Sequence, residues 1–297
     1  MHTVYSDGTD SPERLFEKVK TAGIDFFSVT DHDSLAGSLH MRDLLSKARR
    51  EAEVDVLPDF VTGIEFSCED ENGKYHILGY AYDPEEDAIR SIVNTFHEVR
   101  MEKIRGRFRF LKDTYGFTFP QEEIDEVLAL PSPGKPHIGT MMVKYGYAPN
   151  LHTAIEDYLS NYNGPELDIR PEEAIDAIKK SSGIPVLAHG IFGDGSILLS
   201  EADFSKQVAF LADVGLMGLE CFYPRYSTKQ QELLLALRKK YDLLATAGSD
   251  YHGLVKRVEL GDTGFGGPKA PVPALQEFTE ECRKRPGYDK GGSIHDN

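Results

Sequence analysis

Apolar and polar positions along this chain switch repeatedly between two periods, and the switching places the elements. Over residues 11–22 the apolar Leu15, Phe16 and Val19 recur at helical spacing behind a capping Ser11, with Pro12 at the first helical position and Glu13 in the first turn. Gly23 ends that helix. Residues 24–30, IDFFSVT, are a short apolar run rich in aromatic and β-branched types, which predicts a buried strand running straight into Asp31-His32-Asp33. The pattern then repeats. A helix is expected over 38–52 and a strand over 60–66 carrying Glu65 at its far end. Another strand is expected over 75–82 with His76 near its start, and Asn72-Gly73 reads as the hairpin turn between the two.

From residue 84 to about 168 the texture becomes helical and charged, with a long basic amphipathic run over 97–115, so this region reads as an inserted helical subdomain. The strand-helix rhythm returns afterwards. Helices are expected over 171–181, 201–213 and 228–239; strands are expected over 184–188, 218–222 and 243–247, the first ending at His189 and the last delivering Asp250 and His252. Beyond 268 the chain is expected to be loosely ordered apart from a short helix over 274–283. Strands linked by helices imply a parallel α/β sheet, and a chain of this length favours a closed or nearly closed barrel. The expected division is a barrel over 1–83 and 169–267, an insert over 84–168 and a tail over 268–297. Such barrels carry their catalytic groups at the C-terminal ends of strands, where Asp31, His32, Glu65, His189, Asp250 and His252 fall. His76, at a strand start, does not fit that rule.

Composition changes this picture little. The 297 residues are 40% hydrophobic and 28% charged, ordinary globular values, with no apolar run long enough to cross a bilayer. Cys68, Cys221 and Cys282 are widely spaced, which fits a reducing, cytoplasmic compartment and gives no thiolate zinc site. A net charge of −16 argues against sequence-independent binding of long nucleic acid, which depends on Lys and Arg neutralising phosphates. It leaves room for a small phosphorylated substrate, because di-cations gathered at one site make that site locally positive.

The candidate chemistry lies in the imidazoles and carboxylates. The opening MHTVYSDG places His2, Thr3, Ser6 and Asp7 within a few residues, and His32, Glu65, His76, His189, Asp250 and His252 recur downstream. A single strand-end histidine is usually a cap or a core residue, and an aspartate there often caps the next helix. His40, His97, His152 and His295 are read in that way. The set at the strand ends is another matter: imidazoles mixed with carboxylates suit Mn, Zn or Fe in open sites, and there are more of them than one ion needs. Converged, they can hold two or three divalent ions, with Glu65 bridging a pair that clamps both oxygens of a phosphoryl displacement. Asp31 and Asp33, flanking His32, are expected to fix its tautomer.

The motifs HTVYSDGTDSPERL, GIDFFSVTDHDSLAG, TGIEFS, HILGY, LAHG and AGSDYHG, in this order, resemble the polymerase and histidinol phosphatase (PHP) family across nearly the whole chain. The resemblance implies a distorted (βα)7 barrel of the TIM-like kind, a trinuclear metal cleft and phosphoester hydrolysis by a metal-bound hydroxide. It implies His2, Glu65 and Asp250 on a first metal, Glu65, His76 and His189 on a second, and Asp7, His32 and His252 on a third, with Asp250, Glu65 and His189 as the catalytic residues.

Three departures bear on substrate. The family's first motif reads D-x-H-x-H before the Ser-Asp-Gly, so one ligand and a first strand are not in this sequence, and a start upstream of Met1 is expected. The family's Gly-Arg-Pro-His is here Gly134-Lys135-Pro136-His137, which keeps the charge and loses the bidentate fork. Ala-His-Pro is replaced by Ala188-His189-Gly190 before a glycine-rich loop. Lys135, His137 and Arg225 are the expected substrate contacts. The expected activity is hydrolysis of a small nucleotide ester, a 3′,5′-bisphosphate or a 5′-monophosphate. The alternatives are a cyclic phosphodiesterase acting on a phosphorylated sugar, an exonuclease acting on short oligonucleotides, and a binding-only relative without catalysis.

Overall fold

The computed structural model describes residues 1–51, 57–130, 132–164, 169–193, 198–266, 272 and 274–291. His295 and the centre of the glycine-rich loop after His189 lie outside them. The chain divides into two compact units, Met1–Val93 with Ile169–Asn297, and Asn94–Asp168.

The first unit is α/β. Ser11 caps α1 (Pro12–Ala22) by accepting the Arg14 N–H, and Gly23 at φ 65° closes it in a left-handed turn. The chain continues through β1 (Phe26–Val29), α2 (Ala36–Glu51) and the long hairpin of β2 (Asp59–Asp70) and β3 (Gly73–Tyr80). It then enters α3 (Asp87–Tyr115), which runs on into the second unit. There α4 (Gln121–Leu128), α5 (Lys135–Lys144) and the short α6 (Leu151–Thr153) follow, α6 passing into a π-helical turn at Ala154–Tyr158. Ile104, Phe108, Leu111, Ile138, Met142 and Leu159 form the separate core of that unit. Back in the first unit come α7 (Pro171–Lys180), β4 (Ile184–Leu187), α8 (Glu201–Asp213), β5 (Gly218–Phe222), α9 (Thr228–Lys240), β6 (Leu244–Ala247), α10 (Leu275–Cys282) and β7 (Tyr288–Asp289).

The sheet runs β1-β2-β3-β4-β5-β6, with β7 added to β2. It is mixed rather than parallel throughout: β1-β2, β4-β5 and β5-β6 are parallel, while β3 is antiparallel to both β2 and β4. The cause is a two-residue turn at Glu71-Asn72, one residue before the expected Asn72-Gly73, which pairs Asp70 with Gly73 and leaves no length for a crossover helix. Reversing β3 brings its beginning to the rim where the parallel strands end.

Met1 and His2 lie between the two ends of the strand path. The Thr30 N–H donates to the Met1 carbonyl at 2.8 Å, and the His2 N–H donates to the Tyr251 carbonyl at 2.9 Å. Beside Met1 is a cavity of about 440 Å³ lined by Phe26, Phe27 and Ser28 of β1 and by Thr246 and Ala247 of β6. One core packs α1 and α2 on the sheet through Leu15, Val19, Met41 and Leu45 against Phe27, Val29 and Phe60. A second joins Val61, Leu78, Ile184 and Val186 to Phe278 and Cys282 of α10. Among the described residues beyond 268, the expected short helix is α10, and β7, which was not expected, pairs with β2.

Candidate metal centre

Glu65, on β2 and only 2% exposed, lies at the centre of the cluster. Its Oε2 is 2.9 Å from His2 Nε2, and its Oε1 is 2.8 Å from His76 Nδ1 and 3.1 Å from His189 Nε2. His2 Nε2 is also 3.4 Å from Asp250 Oδ1, and Asp7 Oδ1 is 3.2 Å from His252 Nε2. The rings of His2 and His252 stack at 3.9 Å, and those of His2 and His32 approach to 4.6 Å. Ligand atoms fall into three groups within 4.8 Å: His2, Asp7, His32 and His252; His32, Glu65 and His76; and His2, Glu65 and Asp250. His189 joins through its contacts to Glu65 and to His76 Nδ1 at 3.2 Å.

The strand order explains the convergence. His32 bridges to Glu65 where β1 passes β2, and Asp250 with His252 follows β6. His189 follows β4, and its backbone neighbour Ala188 donates to the His76 carbonyl at 3.0 Å. His76 therefore reaches the cluster from the beginning of an antiparallel strand, which is why a rule written for parallel strand ends does not find it.

The donor set suits divalent cations. The Asp250 carbonyl, 2.8 Å from His252 Nδ1, can only accept, so Nδ1 carries the proton and the Nε2 lone pair faces the Asp7 carboxylate. Two acceptors turned toward each other call for a cation between them. His32 Nδ1 and His189 Nδ1 are buried without a hydrogen-bond partner, and no thiol is within the three groups.

Charge is balanced inside the cluster. Burial would raise the Glu65 carboxyl, but the surrounding His32 and His76 and the bonds from His189 and His2 hold it well below its usual range. Burial likewise opposes ionisation of Asp7 and Asp250, yet the charged His2, beside both, holds them down. Burial lowers His32 and His252, leaving neutral imidazoles able to ligate. Burial also works against a charged His2, but its bonds to Asp250 and Glu65 overcome it and lift the group to about 9.

Asp31 does not fix the His32 tautomer. It accepts the Thr3 N–H and Thr3 hydroxyl, both at 2.7 Å, and the Ser6 hydroxyl at 2.6 Å, so it holds the loop that carries His2 and Asp7. Gly37 allows this closeness, because a Cβ there would lie 1.8 Å from Asp31 Oδ2. Asp33 accepts the Ser67 N–H at 2.8 Å. His40 bonds Tyr5 and Glu13, as a structural residue would.

Of the expected substrate contacts, Arg225 stands on the loop after β5, over the ring of Phe192. Lys135 and His137 open α5 in the second unit, where His137 Nδ1 accepts the Gly134 N–H at 3.0 Å and Lys135 bonds Ser160 at 3.2 Å. Sequence reading missed Glu220, Tyr223 and Lys256. Glu220 on β5 accepts the His189 N–H, Tyr223 donates to Asp250 Oδ2 at 3.2 Å, and Lys256 donates to the same oxygen at 2.6 Å. A buried glutamate inside an apolar strand, GLECF, was the available signal for the first.

Residues 1–184 match the PHP domain. The chain belongs to the PHP domain family. It is 27% identical to the 5′-3′ exoribonuclease Rnm of Salmonella typhimurium, over 88% of this chain and 86% of that protein. It is also 27% identical to the phosphoribosyl 1,2-cyclic phosphate 1,2-diphosphodiesterase of Eggerthella lenta, over 87% and 94%. Among solved structures it resembles a protein of Bifidobacterium adolescentis described as a metal-dependent phosphoesterase, with a TM-score of 0.71, 26% identity and 94% of each chain covered. An amidohydrolase from Chromobacterium violaceum shares the fold, with a TM-score of 0.73 at 20% identity over 95% of this chain and 94% of that one.

Proposed function

We propose that this protein, a metal-dependent phosphoesterase by family, hydrolyses a phosphate ester of a nucleotide, such as a 5′-monophosphate or a 3′,5′-bisphosphate. The observation carrying the reading is that His2, His32 and Glu65 each belong to two of the three ligand groups, so the groups form one continuous site. When bound, divalent ions such as Mn, Zn or Fe supply Lewis acidity to phosphoryl oxygens and activate water. Glu65 spans the site and orients His2, His76 and His189. Asp250 anchors the opposite side, and Lys256 beside it adds a cation at the rim, where ester oxygens would lie. Arg225 is a further substrate contact.

The same reading takes the sheet as a distorted (βα)7 barrel. It places the protein in the cytoplasm, supported by three buried, free thiols. Among the described residues no helix is long and apolar enough to cross a membrane. A second reading, removal of nucleotides from the end of a short RNA, is favoured by the exoribonuclease relatives. The charge of −16 speaks against long strands.

Phosphate release from a nucleotide panel, with Mn added to metal-depleted protein, tests the proposal. Turnover that depends on the added ion is expected. Protein that holds ions yet hydrolyses none of the panel would favour the binding-only alternative.

A further inference from the structure

The rim beside the cluster carries an aromatic and cationic stack that the hydrolytic chemistry does not use. Phe192 lies in the short turn after His189, tied back by its N–H to the His189 carbonyl at 2.8 Å. Residues 223–226, Tyr-Pro-Arg-Tyr, leave the end of β5 in a turn closed by the Tyr226 N–H on the Tyr223 carbonyl at 3.0 Å. The two turns pack through their rings: Phe192 stacks on Tyr226 at 5.7 Å with 12° between planes, and Tyr223 lies 6.3 Å from Phe192. All three rings are buried, and Arg225 lies on them exposed, its guanidinium carbon 4.2 Å from the Phe192 centroid, a stacking separation. The stack is continuous with the cluster. Tyr223 is 5.7 Å from the His189 ring and bonds Asp250.

A guanidinium held against a ring keeps a fixed plane, and its weak hydration makes the outer face a good stacking surface. Nucleobases stack on aromatic and guanidinium planes alike, whatever their sequence. A bare phosphate would need only the charge, and a ribose, which is not planar, would gain less than a base from a flat guanidinium face. Two relatives act on phosphoesters that differ in this respect, RNA and a phosphoribosyl cyclic phosphate.

We propose that Arg225 on Phe192, backed by Tyr223, is a subsite for the base of a nucleotide, so that this enzyme selects base-bearing esters over sugar phosphates. The inference rests on the nucleotide function proposed above.

The test compares kcat/KM for adenosine 5′-monophosphate and ribose 5-phosphate on the full-length, metal-loaded protein. The comparison is repeated on Arg225→Lys, which keeps the charge and loses the plane, and on Phe192→Leu, with bound metal measured in each to show that the cluster is intact. The unaltered protein should prefer the nucleotide by about 10-fold or more, and each variant should lose most of that preference through a raised KM for the nucleotide. Equal kcat/KM for the two compounds, or a preference that survives Arg225→Lys with metal retained, overturns the subsite and leaves the phosphoesterase reading standing. Hydrolysis of neither compound, nor of adenosine 3′,5′-bisphosphate, overturns the nucleotide function and the subsite with it.

Discussion

The Glu220 carboxylate accepts the backbone N–H of His189 at 2.8 Å, and His189 has a positive φ of 28°. A histidine in that conformation is strained, and a buried acceptor directed at its N–H offsets the strain while aiming the ring at Glu65. The other Glu220 oxygen rests against the end of β6, where a Cβ on Gly248 would lie 2.0 Å from it. Asp250, two residues on, also has a positive φ, 51°. One carboxylate therefore bonds the backbone after β4 and packs closely against Gly248 after β6.

Removing that carboxylate should weaken the site without removing a ligand. Glu220→Ala is expected to lower metal affinity or turnover by about 10- to 100-fold, as loss of an outer partner typically does. Metal titration and kcat would read it, and unchanged values in both would show that His189 holds its position unaided. Gly248→Ala, which forces a methyl into the carboxylate, should cost about 1–3 kcal/mol in thermal or denaturant unfolding.

Glu65 links the groups through its two oxygens, which face three imidazoles. Glu65→Ala should reduce turnover by more than about 100-fold and release metal, as detected by elemental analysis of the purified protein. Full activity in this variant would remove Glu65 from the centre of the site.

Asp31 is fully buried and accepts three hydrogen bonds from the loop that carries His2 and Asp7. Asp31→Ala strands those donors, each costing about 1–3 kcal/mol. Both unfolding stability and metal content should fall, because the same loop supplies both properties. A variant that loses neither would show that the loop is held by other contacts.

The pH dependence has a definite sign in protein stripped of metal. The pKa of His2 is raised from 6.5 to about 9, so its contribution is fully present below 6.5 and is lost as pH rises through 9. Burial raises Glu220 to about 7, so it acts in the same direction between the ordinary carboxylate range and neutrality. Asp7, Asp250 and Glu65 are held down, so their contributions are lost only as pH falls through the acid range. Denaturant unfolding after chelation should therefore show stability falling by about 3 kcal/mol from His2 alone between pH 6.5 and 9. Metal affinity should rise over the same window, because His2 must give up its proton to ligate. A flat profile would mean that His2 is already neutral.

Much of this was legible in the residues. The cap at Ser11, the stop at Gly23, the hairpin signal at Asn72-Gly73, one residue past the actual turn, and the alternation of apolar periods are local signals, and they fixed most elements in the first unit to within two or three residues. The candidate ligands were legible because imidazoles and carboxylates at the ends of apolar runs are costly to place without a purpose.

What the sequence determined by itself was therefore the elements and the inventory of donors. Tertiary structure decided which donors meet and how they are held. His76 belongs at the rim because the tight hairpin reverses β3, and a reversal of direction is a property of strand pairing rather than of any single strand. Asp31, expected beside His32, instead holds Thr3 and Ser6, since the chain's first residues fold back between β1 and β6. Tyr223 and Phe192 read locally as ordinary core residues, and Glu220 stands out only as a carboxylate within an apolar strand. Their roles arise only from packing across strands far apart in sequence, and local periodicity carries no information about such contacts.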